Sequence, residues 1–183
     1  MLPDFATMIG AQLPAQSDPA LAAGVHFHHE SDRAFHGLAE FRQAESWTLQ
    51  HMLRSGLRRG PARGVAHVGV ELCLDGAVVG DRKADGLYLQ AIELARKSPP
   101  QLADEAASSR FCELAERLCD VGLPIAYRQA EVVGSRLVRI LKPRPLLRLA
   151  ADEEPLLMAA VLPMHERVGA EATSIMAALA RAL

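Results

Sequence analysis

The chain has 183 residues, half of them hydrophobic, which is enough for one domain with a substantial core. Its 20 basic and 22 acidic residues leave a formal net charge of −2, which excludes a surface that is a basic nucleic-acid platform throughout. There are 31 Ala and 26 Leu against 20 Val, Ile and Thr, and this excess of helix formers predicts an all-α protein instead of a β-sandwich or barrel.

The first predicted helix begins after Asp18, which can accept backbone N–H bonds as N-cap, with Pro19 at the first helical position, and it runs toward Phe35. Further helices are predicted over 40–57, 110–121, 129–141 and 153–183, the last kinked or split at Pro163. The breaks between these segments are only of loop length. We therefore expect residues 1–183 to form a single helical domain.

Residues 65–79 fit two different structures. Val70–Leu74 and Ala77–Val79 flank an Asp-Gly pair, which is typical of a β-hairpin. Val65, Val68 and Leu72 also fit a helical stripe, so periodicity leaves both interpretations open.

The three cysteines, Cys73, Cys112 and Cys119, have no CxxC spacing and fit neither a disulfide framework nor a zinc knuckle. No apolar run reaches the roughly 18 residues of a membrane span, and the N-terminal residues lack the pattern of a signal peptide. We expect a cytoplasmic protein with reduced cysteines and no membrane partner.

Four of the seven histidines fall within residues 26–36. On a helix, His28 and Asp32 are separated by i, i+4, and His29, Asp32 and His36 share a face. Imidazole and carboxylate groups together suit Mn, Fe or Zn. The alternative is a set of solvated polar residues on one helix.

His67 and Glu71 form a second candidate pair, again at i, i+4 if their segment is helical. The alternative is a partly buried histidine with an incidental carboxylate. Spacing alone favours that alternative.

Residues 1–5 read MLPDF, and residues 24–32 read GVHFHHESD. These two segments resemble the paired motifs LLxDF and G-(I/V)-x-x-H-x-x-I-D of bacterial acyl carrier protein phosphodiesterases. Residues 141–146, LKPRPL, lie where that family has an Arg- and Pro-containing joint. The resemblance implies an all-helical, HD-domain-like fold. It also implies Mn²⁺-dependent removal of the 4′-phosphopantetheine arm from holo acyl carrier protein, a reaction of fatty acid and lipid metabolism.

Carried over residue by residue, the resemblance makes Asp4, His28 and Asp32 metal ligands, with Asp4 alternatively a catalytic acid. His67 and Glu71 would complete the metal shell or act as acid and base. A nearby histidine, His36 or His29, would be the general acid that protonates the leaving serine oxygen.

Of the 20 basic residues, 17 are arginines, and several cluster along the chain. Because acyl carrier proteins are acidic, the resemblance implies that such arginines bind the partner, and we single out Arg54, Arg58, Arg59 and Arg144. A solvated charged face is the alternative. No aromatic residues interleave with these arginines, which argues against a nucleic-acid partner.

The chain departs from the family in three places. Its D-x-x-x-D-H motif falls on His67, Glu71 and Leu72, its T-D aspartate falls on His36, and the chain starts after a histidine-containing segment that precedes LLxDF. These departures predict a divergent, N-terminally short member with a rebuilt metal site. The alternatives are an inactive relative that binds acyl carrier protein or metal, and a haem-binding or metal-storage helical protein.

Overall fold

The computed structural model describes residues 2–80 and 82–183. Within these ranges every regular element is helical, which confirms the all-α prediction. The α-helices are α1 (Leu2–Met8), α2 (Pro19–Gly37), α3 (Ala39–Arg54), α4 (Arg59–Val78), α5 (Arg82–Lys97), α6 (Glu105–Val121), α7 (Ala130–Leu141) and α8 (Glu153–Ala182). A 3₁₀-helix over Ile125–Arg128 precedes α7.

The chain divides into two compact units. The first unit comprises Met1–Arg33 with Gly80–Leu123, and the second comprises Ala34–Val79 with Pro124–Leu183. The expectation of a single domain over 1–183 stays a prediction.

In the first unit, α1 and α5 pack against α6. Phe5 of α1 lies against Phe111 of α6, with ring centroids 6.3 Å apart, and Ile92 of α5 is buried in the same cluster. The short helix α1 is thereby anchored to a longer one by an aromatic contact.

In the second unit, α3, α4, α7 and α8 enclose the larger core, in which Phe41, Leu137 and Met164 are fully buried. Glu153, the first residue of α8, is also buried, and its carboxylate accepts hydrogen bonds from Arg58 and from the backbone of Ala150. This ion pair joins the start of α4 to the start of α8.

Residues 65–79 are helical up to Val78, so the hairpin interpretation is wrong. Eleven of the 20 residues of α4 are buried, because α3, α7, α8 and the 3₁₀-helix all pack on it. The glycine of the Asp-Gly pair allows the 3₁₀-helix to pack closely on α4, since a β-carbon at Gly76 would collide with the backbone carbonyl of Tyr127.

The helix ends agree with the sequence at α2, where Asp18 Oδ1 accepts hydrogen bonds from the N–H groups of Ala20 and Leu21. Helix α6 begins five residues before its predicted start, since Asp104 is its N-cap and accepts a hydrogen bond from the N–H of Ala107.

Helix α8 continues through Pro163, whose side chain is exposed, so a split at this position is wrong, and the kink stays a prediction. The sequence did not indicate α1 or α5. None of the helices in the described ranges is long and apolar enough to cross a membrane.

Candidate metal centre and arginine pocket

Three predicted site residues meet in the second unit. His36 lies in the last turn of α2, and His67 and Glu71 lie one turn apart on α4. Oε1 of Glu71 is 3.6 Å from Nε2 of His36 and 3.4 Å from Nε2 of His67. One potential ligand atom from each residue lies within 4.8 Å of the other two.

This donor set fits a divalent metal ion. Two ligand atoms that each lie about 2.1 Å from one ion at tetrahedral angles are about 3.4 Å apart. The distances from Glu71 Oε1 to the two histidine nitrogens, 3.6 and 3.4 Å, are close to this value. Two imidazoles and one carboxylate suit Zn, Fe or Mn and leave coordination positions open for water or substrate. The side chains of His36 and Glu71 are 31% and 35% exposed, so solvent reaches the cluster.

Glu45 of α3 orients one of the two imidazoles. Its Oε1 lies 3.2 Å from Nδ1 of His67, which can donate its N–H to that carboxylate. This hydrogen bond leaves the lone pair on Nε2, the nitrogen that faces Glu71. Such an outer carboxylate is common behind metal-binding histidines, and sequence spacing gave no sign of it because it belongs to another helix.

Ring packing orients the other imidazole. His36 stacks on His67 with centroids 5.0 Å apart and an interplanar angle of 24°. The His36 ring is also nearly perpendicular to the ring of Phe41, with centroids 5.0 Å apart, and Phe41 is fully buried. A rigid aromatic side chain of the core therefore restricts the position of His36.

A pocket of about 840 Å³ opens beside the cluster, and both His67 and Glu45 line it. Three arginines line it as well, namely Arg59 and Arg63 of α4 and Arg144, which lies between α7 and α8. Arg59 and Arg63 are one turn apart and so lie on the same face of α4. The pocket therefore combines positive charge with one edge of the candidate metal centre.

The four arginines that the resemblance assigned to partner binding have different surroundings in the structure. Arg59 and Arg144 line the pocket, whereas Arg54 is exposed at the end of α3 and does not line it. Arg58 is held by Glu153, with 2.7 Å between an Arg58 guanidinium nitrogen and Glu153 Oε2. Burial raises the pKa of Glu153, but hydrogen bonds from Arg58 and Ala150 outweigh it and lower that pKa to about 2.

Of the three metal ligands predicted in the first unit, Asp4 and His28 lie close together. Oδ1 of Asp4 on α1 lies 3.5 Å from Nε2 of His28 on α2. Burial lowers the pKa of His28, and the negative charges of Asp4 and Asp32 act in the opposite direction. Within the described ranges, ligand atoms of Asp4, His28 and Asp32 do not gather within 4.8 Å as those of the His36 cluster do. His29 meets the ring of His28 edge-on at 5.5 Å.

Comparison of the chain with protein-family models, with curated proteins and with solved structures gives no match.

Proposed function

We propose that the protein is a divalent-metal-dependent phosphodiester hydrolase with an HD-domain-like architecture. The convergence of His36, His67 and Glu71 at one edge of an arginine-lined pocket is the observation that carries the proposal. The motif resemblance adds the finer assignment, which is removal of 4′-phosphopantetheine from holo acyl carrier protein in the cytoplasm.

His36, His67 and Glu71 would hold the cation, for which the resemblance favours Mn²⁺. Bound there, a divalent cation supplies Lewis acidity, lowers the pKa of coordinated water toward about 7 and neutralises charge on the phosphoryl oxygens. Glu45 keeps His67 in the tautomer that presents Nε2. This arrangement assigns His36 to metal binding in place of its predicted role as general acid, because its Nε2 faces Glu71.

The pocket arginines bind the substrate in this proposal. Arg59, Arg63 and Arg144 supply guanidinium groups that can each donate two parallel hydrogen bonds to phosphoryl or carboxylate oxygens. Arg58 contributes less to a partner, since its guanidinium is already paired with Glu153. Asp4, His28 and Asp32 keep the roles that the resemblance implies, as a separate prediction for the first unit.

The deciding experiment incubates the protein with holo acyl carrier protein and Mn²⁺ and follows loss of the prosthetic group by mass. His67→Gln and His36→Gln are expected to abolish the loss. His26→Gln is the matched control, since His26 lies on α2 in an exposed pair with Glu30, and it is expected to retain activity. Asp4→Asn tests the first-unit prediction in the same assay. Full activity in both His67→Gln and His36→Gln would exclude the cluster as the catalytic centre.

A second candidate function is metal binding without hydrolysis. The replacement of the family's D-x-x-x-D-H motif by His67, Glu71 and Leu72 favours it. Under this alternative, Mn²⁺ at about 100 times its Kd still stabilises the native state by about 2.7 kcal/mol, and the melting temperature rises by several degrees. Stabilisation by Mn²⁺ that His36→Gln removes, together with an intact prosthetic group on the carrier protein, would support this alternative over hydrolysis.

A further inference from the structure

The pocket beside the metal cluster has a defined excess of positive charge. Arg59, Arg63 and Arg144 line it, and among its described lining residues Glu45 is the one carboxylate. In the part of the chain that the structure describes, none of these three guanidinium groups has an ion-pair partner. The three arginines and Glu45 together contribute a formal charge of +2.

This charge selects one class of ligand. A phosphomonoester carries about −1.5 to −2 at pH 7 and offers three acceptor oxygens, whereas a carboxylate or a phosphodiester carries −1. Three arginines provide enough donors for all three terminal oxygens. From the charge and the donor count, we infer that the pocket binds the dianionic head of an organic phosphomonoester.

The apolar wall of the pocket indicates the organic part of the ligand. Leu49, Leu146 and Leu147 line it together with the arginines, and Leu146 is 87% exposed. A carbon chain or ring attached to the phosphate would cover these side chains and remove apolar surface from water. An organic phosphomonoester should therefore bind more tightly than inorganic phosphate.

A tight backbone contact holds the third arginine in place. A β-carbon at Gly60 would collide with the carbonyl of Leu146, so the chain after Arg144 lies directly on the first turn of α4. At Gly64, one turn later, a β-carbon would lie 2.8 Å from the side chain of Leu141 and 3.4 Å from that of Leu147. The segment that carries Arg144 is therefore fixed beside the helix that carries Arg59 and Arg63.

The inference rests on the proposed function for the biological role of this ligand, since hydrolysis of a phosphodiester leaves a phosphomonoester. Binding itself requires neither metal nor turnover. The two ideas can therefore fail separately.

The test titrates metal-free protein, in the presence of a chelator, with phenyl phosphate and with inorganic phosphate by isothermal calorimetry. We expect phenyl phosphate to bind severalfold more tightly than phosphate. Arg63→Gln and Arg144→Gln should each weaken its binding about tenfold, because each removes a charge-assisted pair of hydrogen bonds. Arg54→Gln is the matched control, an exposed arginine outside the pocket, and should leave binding unchanged. The melting temperature of each variant verifies that it folds.

A reciprocal pair of variants separates the inference from the proposed function. His36→Gln should lose stabilisation by Mn²⁺ and keep phenyl phosphate binding, because His36 does not line the pocket. Arg63→Gln should do the opposite. If Mn²⁺ binds but phenyl phosphate does not, the inference fails and the proposed metal centre stands.

Two further outcomes would overturn the inference. Equal weakening by Arg54→Gln would show diffuse surface charge in place of a site. Binding of a polyglutamate peptide without binding of phenyl phosphate would assign the arginines to an acidic protein partner.

Discussion

Replacing Glu153 with glutamine is expected to destabilise the second unit substantially. The Glu153 side chain is only 4% exposed, and its carboxylate accepts hydrogen bonds from the Arg58 backbone, the Arg58 guanidinium and the backbone N–H of Ala150. Glutamine keeps the shape of the side chain, but it removes the charge and turns one acceptor oxygen into an NH₂ donor. That donor would face N–H groups that need an acceptor.

The size of the effect follows from the pKa of Glu153, which is about 2 in the folded protein against an ordinary value of 4.5. This difference corresponds to about 3 kcal/mol in favour of the ionised native state. Arg58 is 64% exposed, so solvent screens its end of the pair and we expect about 2 kcal/mol. For a chain of this length that loss lowers the melting temperature by about 4–8 °C.

The pH dependence gives a second, independent readout. Because the folded pKa is lowered, the contribution of Glu153 is complete above about pH 4.5 and is lost as the pH falls toward 2. Urea unfolding should therefore show the largest difference between wild type and Glu153→Gln above pH 5. The difference should shrink steadily below pH 4.5.

Glu93→Gln is the matched control. Hydrogen bonds from Arg96 and Lys97 also lower the pKa of Glu93 to about 2, but this carboxylate is 40% exposed on one face of α5. We expect almost no change in melting temperature, since exposed pairs contribute little. An equal loss of stability in Glu93→Gln, or no loss in Glu153→Gln, would refute the assignment of the effect to burial.

Three further predictions concern single residues. Gly76→Ala should destabilise the protein by about 1–3 kcal/mol, because its β-carbon meets the Tyr127 carbonyl, whereas Gly24→Ala, with open space around it, should stabilise the protein by up to about 1 kcal/mol. Chemical denaturation measures both changes, and equal effects would contradict the close approach of Tyr127 to Gly76. Asp104→Ala should cost about 1 kcal/mol through loss of the α6 N-cap, while Asp120→Ala in the last turn should cost nothing by the same assay. Burial raises the pKa of Cys73 to about 12, so this thiol should resist a disulfide reagent at pH 8 until the protein unfolds; prompt labelling, identified by comparison with Cys73→Ser, would contradict its burial.

The helices that the sequence predicted best are those with chemical end signals. Asp18 and Pro19 mark the start of α2, and Gly122, which has a φ of 67°, marks the end of α6. Helix α1 escaped prediction because it has only seven residues, and its stability comes from the contact of Phe5 with Phe111. Periodicity cannot detect a helix that depends on a partner distant in sequence.

Helix α4 was ambiguous because it is buried on several sides. A helix that packs against four other elements has no single apolar stripe, so its pattern resembles a continuous buried strand. Its Asp-Gly pair looked like a turn, although the glycine is required by a close approach of backbone to helix. The glycine at position 76 is required by its contact with Tyr127, 51 residues later in the chain, and not by a turn.

For the candidate site, sequence spacing paired His67 with Glu71 because both lie on one helix. His36 was one of two histidines, with His29, that were candidates for the general acid, and the structure places His36 beside that pair. Glu45 could not be found, since no spacing rule relates it to His67. The arginine clusters were visible in the sequence, but only tertiary contacts decide that Arg58 pairs with Glu153 and that Arg63 lines the pocket.

Glycine at position 60 lets the segment that follows Arg144 lie directly on helix α4. The distance between Arg144 and the arginines of α4 depends on a glycine that itself carries no charge. One added methyl group there would lift the Arg144 segment from the helix and widen the pocket while every charged residue stays in the sequence. Ligand size and ligand charge can therefore be altered independently, the first through position 60 and the second through the arginines.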